Sequence, residues 1–528
     1  MEKFSFGGRL YSKNIFLLIK KIVIIGLVLS SDGMIYSQAF NLTPPKEVEY
    51  KKQENDGKGI AQIQEELAEE ERTNKKDYYK NPRSYGTNRI LSPPAYAKTL
   101  SETGYNSFKD LKWIESGMDY RTRNEYREND LRRADSGIDR PLLLRSRAYF
   151  AVKEKLDPFR FAFEVEDAQR KFSKYEIDDR DYNRVEPINA YGEFHLKNGL
   201  GNNRPFSVKY GIQSFEFLDR RLIASNEWRN TTNTFQGFRV TLGKDQNNWS
   251  VDILGLQPLE RLEYDVDKRI RNQFFGGMIG HIRQWSNLIT IEPFYLGLNQ
   301  SPLSQVKYNP TTFSFADNSR VGREIHTTGV RLYNIYFSGF DYDISAIYQF
   351  GVNDLQKQQR HEAYSFLFDA GYTYNTKWKP RTGFFYGYVS GDRNPNDNTN
   401  QRFERLYGFA RPWSSNDYVQ MENVQTPKFV FEFEPITGVK IDTVFVWFYL
   451  ASATDRWNAA NRIQDKTGRS GNYMGFEYNF RIRFDVMYGV KANIGYAYFK
   501  PGEFTVNTTG RDQNSNFLYL EMTYSLFN

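Results

Sequence analysis

The sequence predicts an all-β fold: a transmembrane antiparallel β-barrel of about 18 strands. Three observations predict it. Stretches of roughly ten residues alternate aromatic side chains with small or polar ones, the period-2 pattern of a strand. Turn residues separate these stretches at uneven spacing, with no self-similar period of the kind a propeller or β-helix would impose. Finally, 37 Tyr and 42 Phe coexist with a hydrophobic fraction of only 39% and a mean hydropathy of −0.68. A lipid-facing aromatic wall around a wet lumen reconciles those values. Past the N-terminal leader no segment offers about 18 consecutive apolar residues, so a closed barrel is the remaining way to cross a membrane.

The first 39 residues read as a secretory signal. Lys3, Arg9, Lys13, Lys20 and Lys21 precede or flank the apolar run Ile22–Leu29, and Ser37-Gln38-Ala39 offers a small-x-small cleavage site. A retained helical anchor is the alternative, for which the run is short. The chain has no cysteine, hence no disulfide, thiolate metal site or lipobox. Net charge is +7, to which the leader contributes five bases and two acids, leaving the mature chain near +4. That is no nucleic-acid footprint over so long a chain.

Residues 40–109 are expected to be a periplasmic extension. Lys46 to Lys58 is charged, Ile60, Ile63 and Leu67 have the spacing of one short amphipathic helix, and Asn81 to Pro94 is rich in proline and turn residues. A solvated linker is the main reading, with a periplasmic partner docked on that helix as the functional alternative.

The barrel is expected over 110–528. Its strands are read at Met118–Asn129, Pro141–Lys153, Phe159–Arg170, Pro187–Lys197, Pro205–Phe215, Phe235–Gly243, Trp249–Leu256, Gln273–Arg283 and Leu288–Leu298. They continue at Thr327–Phe337, Asp341–Gly351, Ala363–Tyr374, Thr382–Ser390, Lys428–Pro435, Val439–Ala453, Asn472–Asp485, Tyr488–Phe499 and Phe517–Phe527. Asn472–Asp485 is the sharpest: Met474, Phe476, Tyr478, Phe480, Ile482 and Phe484 form one face, and Gly475, Glu477, Asn479, Arg481 and Arg483 the other. Thr382–Ser390 places Phe384, Tyr386 and Tyr388 on one parity and then enters a long Asn-rich loop, expected to lie at the lip of a pore.

These residues resemble the alginate-export outer-membrane porins. The resemblance runs from about Asp110 to Phe527. It rests on Arg121-x-Arg123-x-Glu125, Glu164–Arg170, Tyr210–Phe215, Trp228-Arg229-Asn230, Phe235–Arg239, Gly329-Val330-Arg331, Ser390-Gly391-Asp392-Arg393-Asn394 and Tyr498–Phe504. It departs at Tyr210-Gly211-Ile212-Gln213, where the family's usual Gly-Arg-Gln lacks its Arg. The resemblance implies an eighteen-stranded barrel with a basic lumen that passes anionic polysaccharide or smaller anions, without fixing alginate as the cargo. It also implies an outer-membrane location, contact with membrane lipid and lipopolysaccharide, and delivery by the barrel-assembly machinery.

Inward-parity bases are the candidate cargo-binding residues: Arg121, Arg123, Arg145, Arg147, Arg239, Arg331, Arg481 and Arg483. A non-titrating guanidinium offers paired donors to a carboxylate, and a charged water-filled pore concentrates its counter-ion. The competing role is structural, each Arg pairing with an acid on the lumen wall; Glu125, Glu164, Glu477 and Asp341 are available. The loop Asp392-x-Asn394-x-Asn396-x-Asn398 has a calcium-like alternation of oxygens, but Asp397 stands where such a loop needs Gly and Glu404 comes one place late. Turn-forming Asn is the plainer reading. The four histidines lie in no Gly-x-Ser-x-Gly or His-Glu-x-x-His context, and neither enzyme chemistry nor a cofactor is expected. A surface adhesin or structural barrel with a plugged lumen is the alternative function.

Overall fold

The computed structural model describes residues 93–527, apart from 134–136, 202, 246, 287–288, 304–305, 310–313, 318, 335–338 and 459–461. The expected signal and the extension up to residue 92 lie outside the described residues.

Eighteen long strands form the wall. They are β1 (Ile114–Glu128), β2 (Leu142–Val152), β3 (Phe159–Lys171), β4 (Asn183–Leu196), β5 (Phe206–Gln213) and β6 (Phe235–Leu242). Next come β7 (Trp249–Glu260), β8 (Gln273–Ser286), β9 (Ile289–Gln300), β10 (Arg323–Tyr333), β11 (Phe340–Asp354) and β12 (Gln359–Thr373). The last are β13 (Arg381–Val389), β14 (Val424–Ile436), β15 (Val439–Tyr449), β16 (Tyr473–Met487), β17 (Val490–Pro501) and β18 (Ser515–Ser525). Each pairs antiparallel with the next. β1 also pairs with β18, from Asp119↔Ser525 to Glu128↔Asn516, so the sheet closes without an edge.

The parity read from the sequence holds around the wall. On β13, Arg381, Phe385, Gly387 and Val389 are buried within the barrel, while Thr382 faces outward and is exposed. Phe150, Phe161, Phe163, Phe238, Tyr295, Phe366, Phe429 and Leu518 stand exposed on the outer face, as a lipid-facing belt requires. Met474 departs from its expected place. A register shift between Phe448 and Tyr449 leaves it unpaired, and it turns inward to 1% exposure; a bulge re-aims one side chain in this way.

The two rims differ. Where β1 ends, the connections are mostly long (129–141, 172–182, 214–234, 261–272, 301–322, 390–423, 450–472 and 502–514, with 355–358 short). At the other rim they are short, down to 437–438 and 488–489, and β1 begins and β18 ends there. In such barrels the long loops are extracellular and the short turns periplasmic.

The described end of the expected extension is structured rather than a linker. Ala97–Thr99 pairs with Glu115–Gly117 of β1, below the point where β18 stops. Tyr96 enters the barrel, its hydroxyl donating to Glu164, among Tyr149, Ala151 and Ala162. Gly117 permits this approach, because a Cβ there would collide with the Tyr96 carbonyl.

Candidate functional site

Two of the long loops fold into the lumen. The first, 214–234 between β5 and β6, is held by the wall arginines of β1 and β2. Arg121 donates to the carbonyls of Glu227 (2.7 Å) and Arg229 (2.8 Å) and to Asn230 Oδ1 (3.2 Å). Arg123 donates to the Trp228 carbonyl at 2.6 Å. Arg145 reaches the Glu227 carbonyl and carboxylate, both at 3.3 Å. Arg147 donates to Glu166 on β3 (2.8 Å), to the Glu227 carboxylate (2.8 and 3.1 Å) and to the Thr232 hydroxyl (2.7 Å). Glu166 in turn accepts the Thr232 N–H and hydroxyl, and Asn230 donates to the carbonyls of Leu144, Gln169 and Asp181. A loop buried in a barrel must satisfy its main chain, and the wall side chains do so. Enclosure within the barrel raises the Glu227 carboxyl, although its side chain still meets water, but Arg147 and Arg145 outweigh it and hold the group below the usual carboxylate range.

The second loop, 390–423 between β13 and β14, is hooked at two heights. Gln349 on β11 donates to the Glu404 carbonyl and accepts its N–H, both at 2.7 Å. Glu477 on β16 accepts Ser414 Oγ (2.6 Å), the Ser415 N–H (2.7 Å) and Asn416 Nδ2 (3.0 Å). Phe403, Trp413, Tyr418, Val419 and Met421 are buried in one apolar cluster with Phe215, Phe217 and Ile223 of the first loop and with the wall. Each buried aromatic ring withdraws about 150–250 Å² from water, on the order of 4–6 kcal/mol.

The loops touch across the lumen. Ile223 and Tyr407 form a parallel bridge, with the Ala224 N–H donating to the Tyr407 carbonyl (3.1 Å) and the Tyr407 N–H to the Leu222 carbonyl (2.9 Å). Gly408 lies beside the Arg221 carbonyl, where a Cβ would collide. Trp228 joins the loops a second time: its Nε1 donates to Asp417 (3.2 Å), and Arg123 and Arg411 lie 3.9 and 3.5 Å from its ring centroid. The lumen is therefore constricted by a loop-to-loop contact.

On the extracellular side of that contact lies a chamber of about 400 Å³. Arg123, Arg127, Arg132, Arg133, Arg170, Arg180, Arg229, Arg261, Arg405 and Arg462 line it, against Glu125, Asp139, Asp178, Asp179, Asp181 and Asp417. Ten guanidiniums and six carboxylates line it, and three of the guanidiniums also pair with acids just behind the lining: Arg132 with Asp130 (2.7 Å), Arg123 with Glu521 (3.2 Å) and Arg405 with Glu422 (3.6 Å). Burial, together with Arg261, Arg180 and Arg405, pushes Arg229 down to about 9. Its charge persists at neutral pH.

The alginate export family matches residues 112–518, most of the chain. The chain belongs to that family. It is an outer-membrane β-barrel, built like outer-membrane channels of known structure. OccK2 (OpdF) of Pseudomonas aeruginosa, solved in complex with glucuronate, aligns with a TM-score of 0.50 at 10% identity, over 78% of this chain and 98% of that one. OpdQ of the same organism aligns at 0.49 and 12%, over 78% and 97%. Its OprD aligns at 0.49 and 11%, over 78% and 94%. At such identities the likeness concerns the fold. No curated protein matches the chain.

In this alginate export barrel all eight arginines singled out in the sequence point inward, in three groups. Arg121, Arg123, Arg145 and Arg147 hold the first loop. Arg239 pairs with Asp252 (2.8 Å), and Arg331 with Glu292 (3.0 Å) and Asp343 (2.5 Å). His281, within reach of Asp252 (3.3 Å) and Glu292 (2.8 Å), joins those two pairs into one buried wall network. Arg481 and Arg483 share Asp442 at 3.1 and 2.9 Å, toward the periplasmic end. Of the four acids offered as partners, Glu125 pairs with Arg123 and Arg127 (2.8 Å each), and Asp341 pairs with Arg381 (2.7 Å), a residue the sequence reading passed over. Glu164 and Glu477 bind other groups.

Of the chamber arginines only Arg123 was among the eight. Arg127 and Arg170 share the inward parity of their strands but were not singled out; the others sit in loops, where alternation gives no direction. The signal that could have found the inward loops is the non-alternating apolar content of Phe403–Met421. The Asp392–Asn398 stretch stays at the extracellular lip, as expected, whereas the rest of its loop enters the lumen. There the Asn394 and Asp397 side chains accept the N–H groups of Asn396 and Thr399, the geometry of Asx turns. Among the described residues no three His, Asp or Glu side chains converge as a metal site.

Proposed function

We propose that this barrel passes anionic saccharides, uronate polymers such as alginate among them, by passive diffusion through a basic lumen. The observation that carries the reading is the extracellular chamber, with ten arginines against six acids above the constriction. A low-dielectric wall focuses that surplus onto the aqueous path, raising the local concentration of carboxylates. Guanidinium pairs with each carboxylate bidentately yet leaves it exchangeable in water, as conduction requires. The glucuronate in OccK2 belongs to that protein; here the cargo class rests on the chamber's charge.

A second reading is favoured by the packed apolar cluster joining both loops to the wall: a structural or adhesive barrel whose lumen the loops close. Planar-bilayer recording separates the two. The channel reading expects steady conductance that uronate oligomers interrupt and neutral oligosaccharides of the same length do not. Absence of conductance from folded barrels supports the closed one.

A further inference from the structure

Glu227 stands out within the first loop. Its neighbours Arg121, Arg145 and Arg147 have side chains only 4–5% exposed, whereas its own is 40% exposed. Its carboxylate therefore sits on the water-facing side of a buried arginine cluster. Three main-chain carbonyls, of Glu227, Trp228 and Arg229, are held separately by Arg121 and Arg123. The side chain can swing away while the loop stays pinned.

We propose that Arg121, Arg145 and Arg147 form a carboxylate-binding station in the lumen, with Glu227 as its tethered occupant, displaced by a carboxylate of the passing saccharide. The inference rests on the reading of the lumen as a path for anionic saccharide. Without Glu227 the three guanidiniums would keep only their wall carboxylates, Glu166 (2.8 Å), Glu521 (3.8 Å) and Asp119 (4.0 Å), and the donors that Glu227 now occupies would hold the first uronate that arrived, slowing transport. With Glu227 in place, cargo enters by exchange: one set of charge-assisted hydrogen bonds replaces another, and one glutamate changes rotamer. A tethered competitor acts at an effective concentration in the millimolar range or above. It weakens the hold on each free carboxylate by a corresponding factor and lets the polymer move on. Glu227 is thus a specificity-determining residue that sets residence time.

The test is equilibrium binding of glucuronate to the full-length barrel in detergent, comparing wild type with Glu227→Gln, which keeps the shape and removes the charge. Glu227→Gln is expected to bind glucuronate about tenfold more tightly or better, with glucose binding unaltered. Equal or weaker glucuronate binding would overturn the inference and make Glu227 a structural clamp. Heat-modifiable gel migration verifies that the variant is folded. If it is not, Glu227→Ala carries the same expectation and the same contrary result. Because binding is read without conduction, a barrel that shows no anion preference in bilayers but binds glucuronate more tightly as Glu227→Gln fails the functional reading alone.

Discussion

At the scale of single residues, the wall arginines do two jobs that parity cannot separate. Arg147 is buried between two carboxylates, Glu166 and Glu227, one from the wall and one from a loop. Its inward direction was readable from alternation on β2, but its partner in the loop was not, because Glu227 is eighty residues away in sequence. Glu216 illustrates the electrostatic side of the same loop. It is 4% exposed, accepts a hydrogen bond from Ser225 (2.8 Å), lies 3.8 Å from Arg220, and also feels Glu227 and Arg147. Burial pushes its carboxyl up to about 7. A carboxyl raised in the docked loop binds its proton more tightly there than when the loop is free. Docking is therefore strongest at acid pH and weakens as pH rises through about 7. Amide exchange over 214–234, corrected for its intrinsic rate, is expected to lose protection as pH rises from the ordinary carboxylate range to about 7, and to level off above it. Glu216→Gln should abolish that dependence, and a pH response retained in the variant would assign it to another group.

At the scale of elements, all eighteen wall strands were legible, whereas the short strand Ala97–Thr99 and the two inward loops were not. The wall obeys a period of two because one face meets lipid and the other water, and that constraint is written locally in the chain. A loop that enters a lumen is constrained by distant partners, such as Gln349 and Glu477, so its own sequence carries little of the pattern. Turn-like Asn and Asp at 392–398 concealed an apolar segment, Phe403–Met421, that packs as a core. The contact between the loops depends on Gly408 lying against the Arg221 carbonyl. Gly408→Ala is expected to push the two loops apart while leaving the wall intact. In single-channel records it should raise conductance or add flicker; a trace identical to wild type would show that ions bypass the Ile223–Tyr407 contact.

At the scale of the whole molecule, a closed barrel of eighteen strands encloses two docked loops, a constriction where they meet, and a positively charged chamber on the extracellular side. The fold was recoverable from composition and alternation. The chamber was recoverable only as a general expectation of a basic lumen, since nine of its ten arginines lie outside the eight inferred from parity. Its charge is what would make the barrel select anions. Replacing Arg229, Arg405 and Arg462 together by Glu would change the lining from ten bases against six acids to seven against nine. The direct measurement is the reversal potential of single barrels in a planar bilayer under a potassium chloride gradient. The wild type is expected to reverse toward the chloride equilibrium potential, and the triple variant to shift toward that of potassium. A wild-type barrel that conducts but prefers potassium, or a triple variant with unchanged preference, would contradict the account.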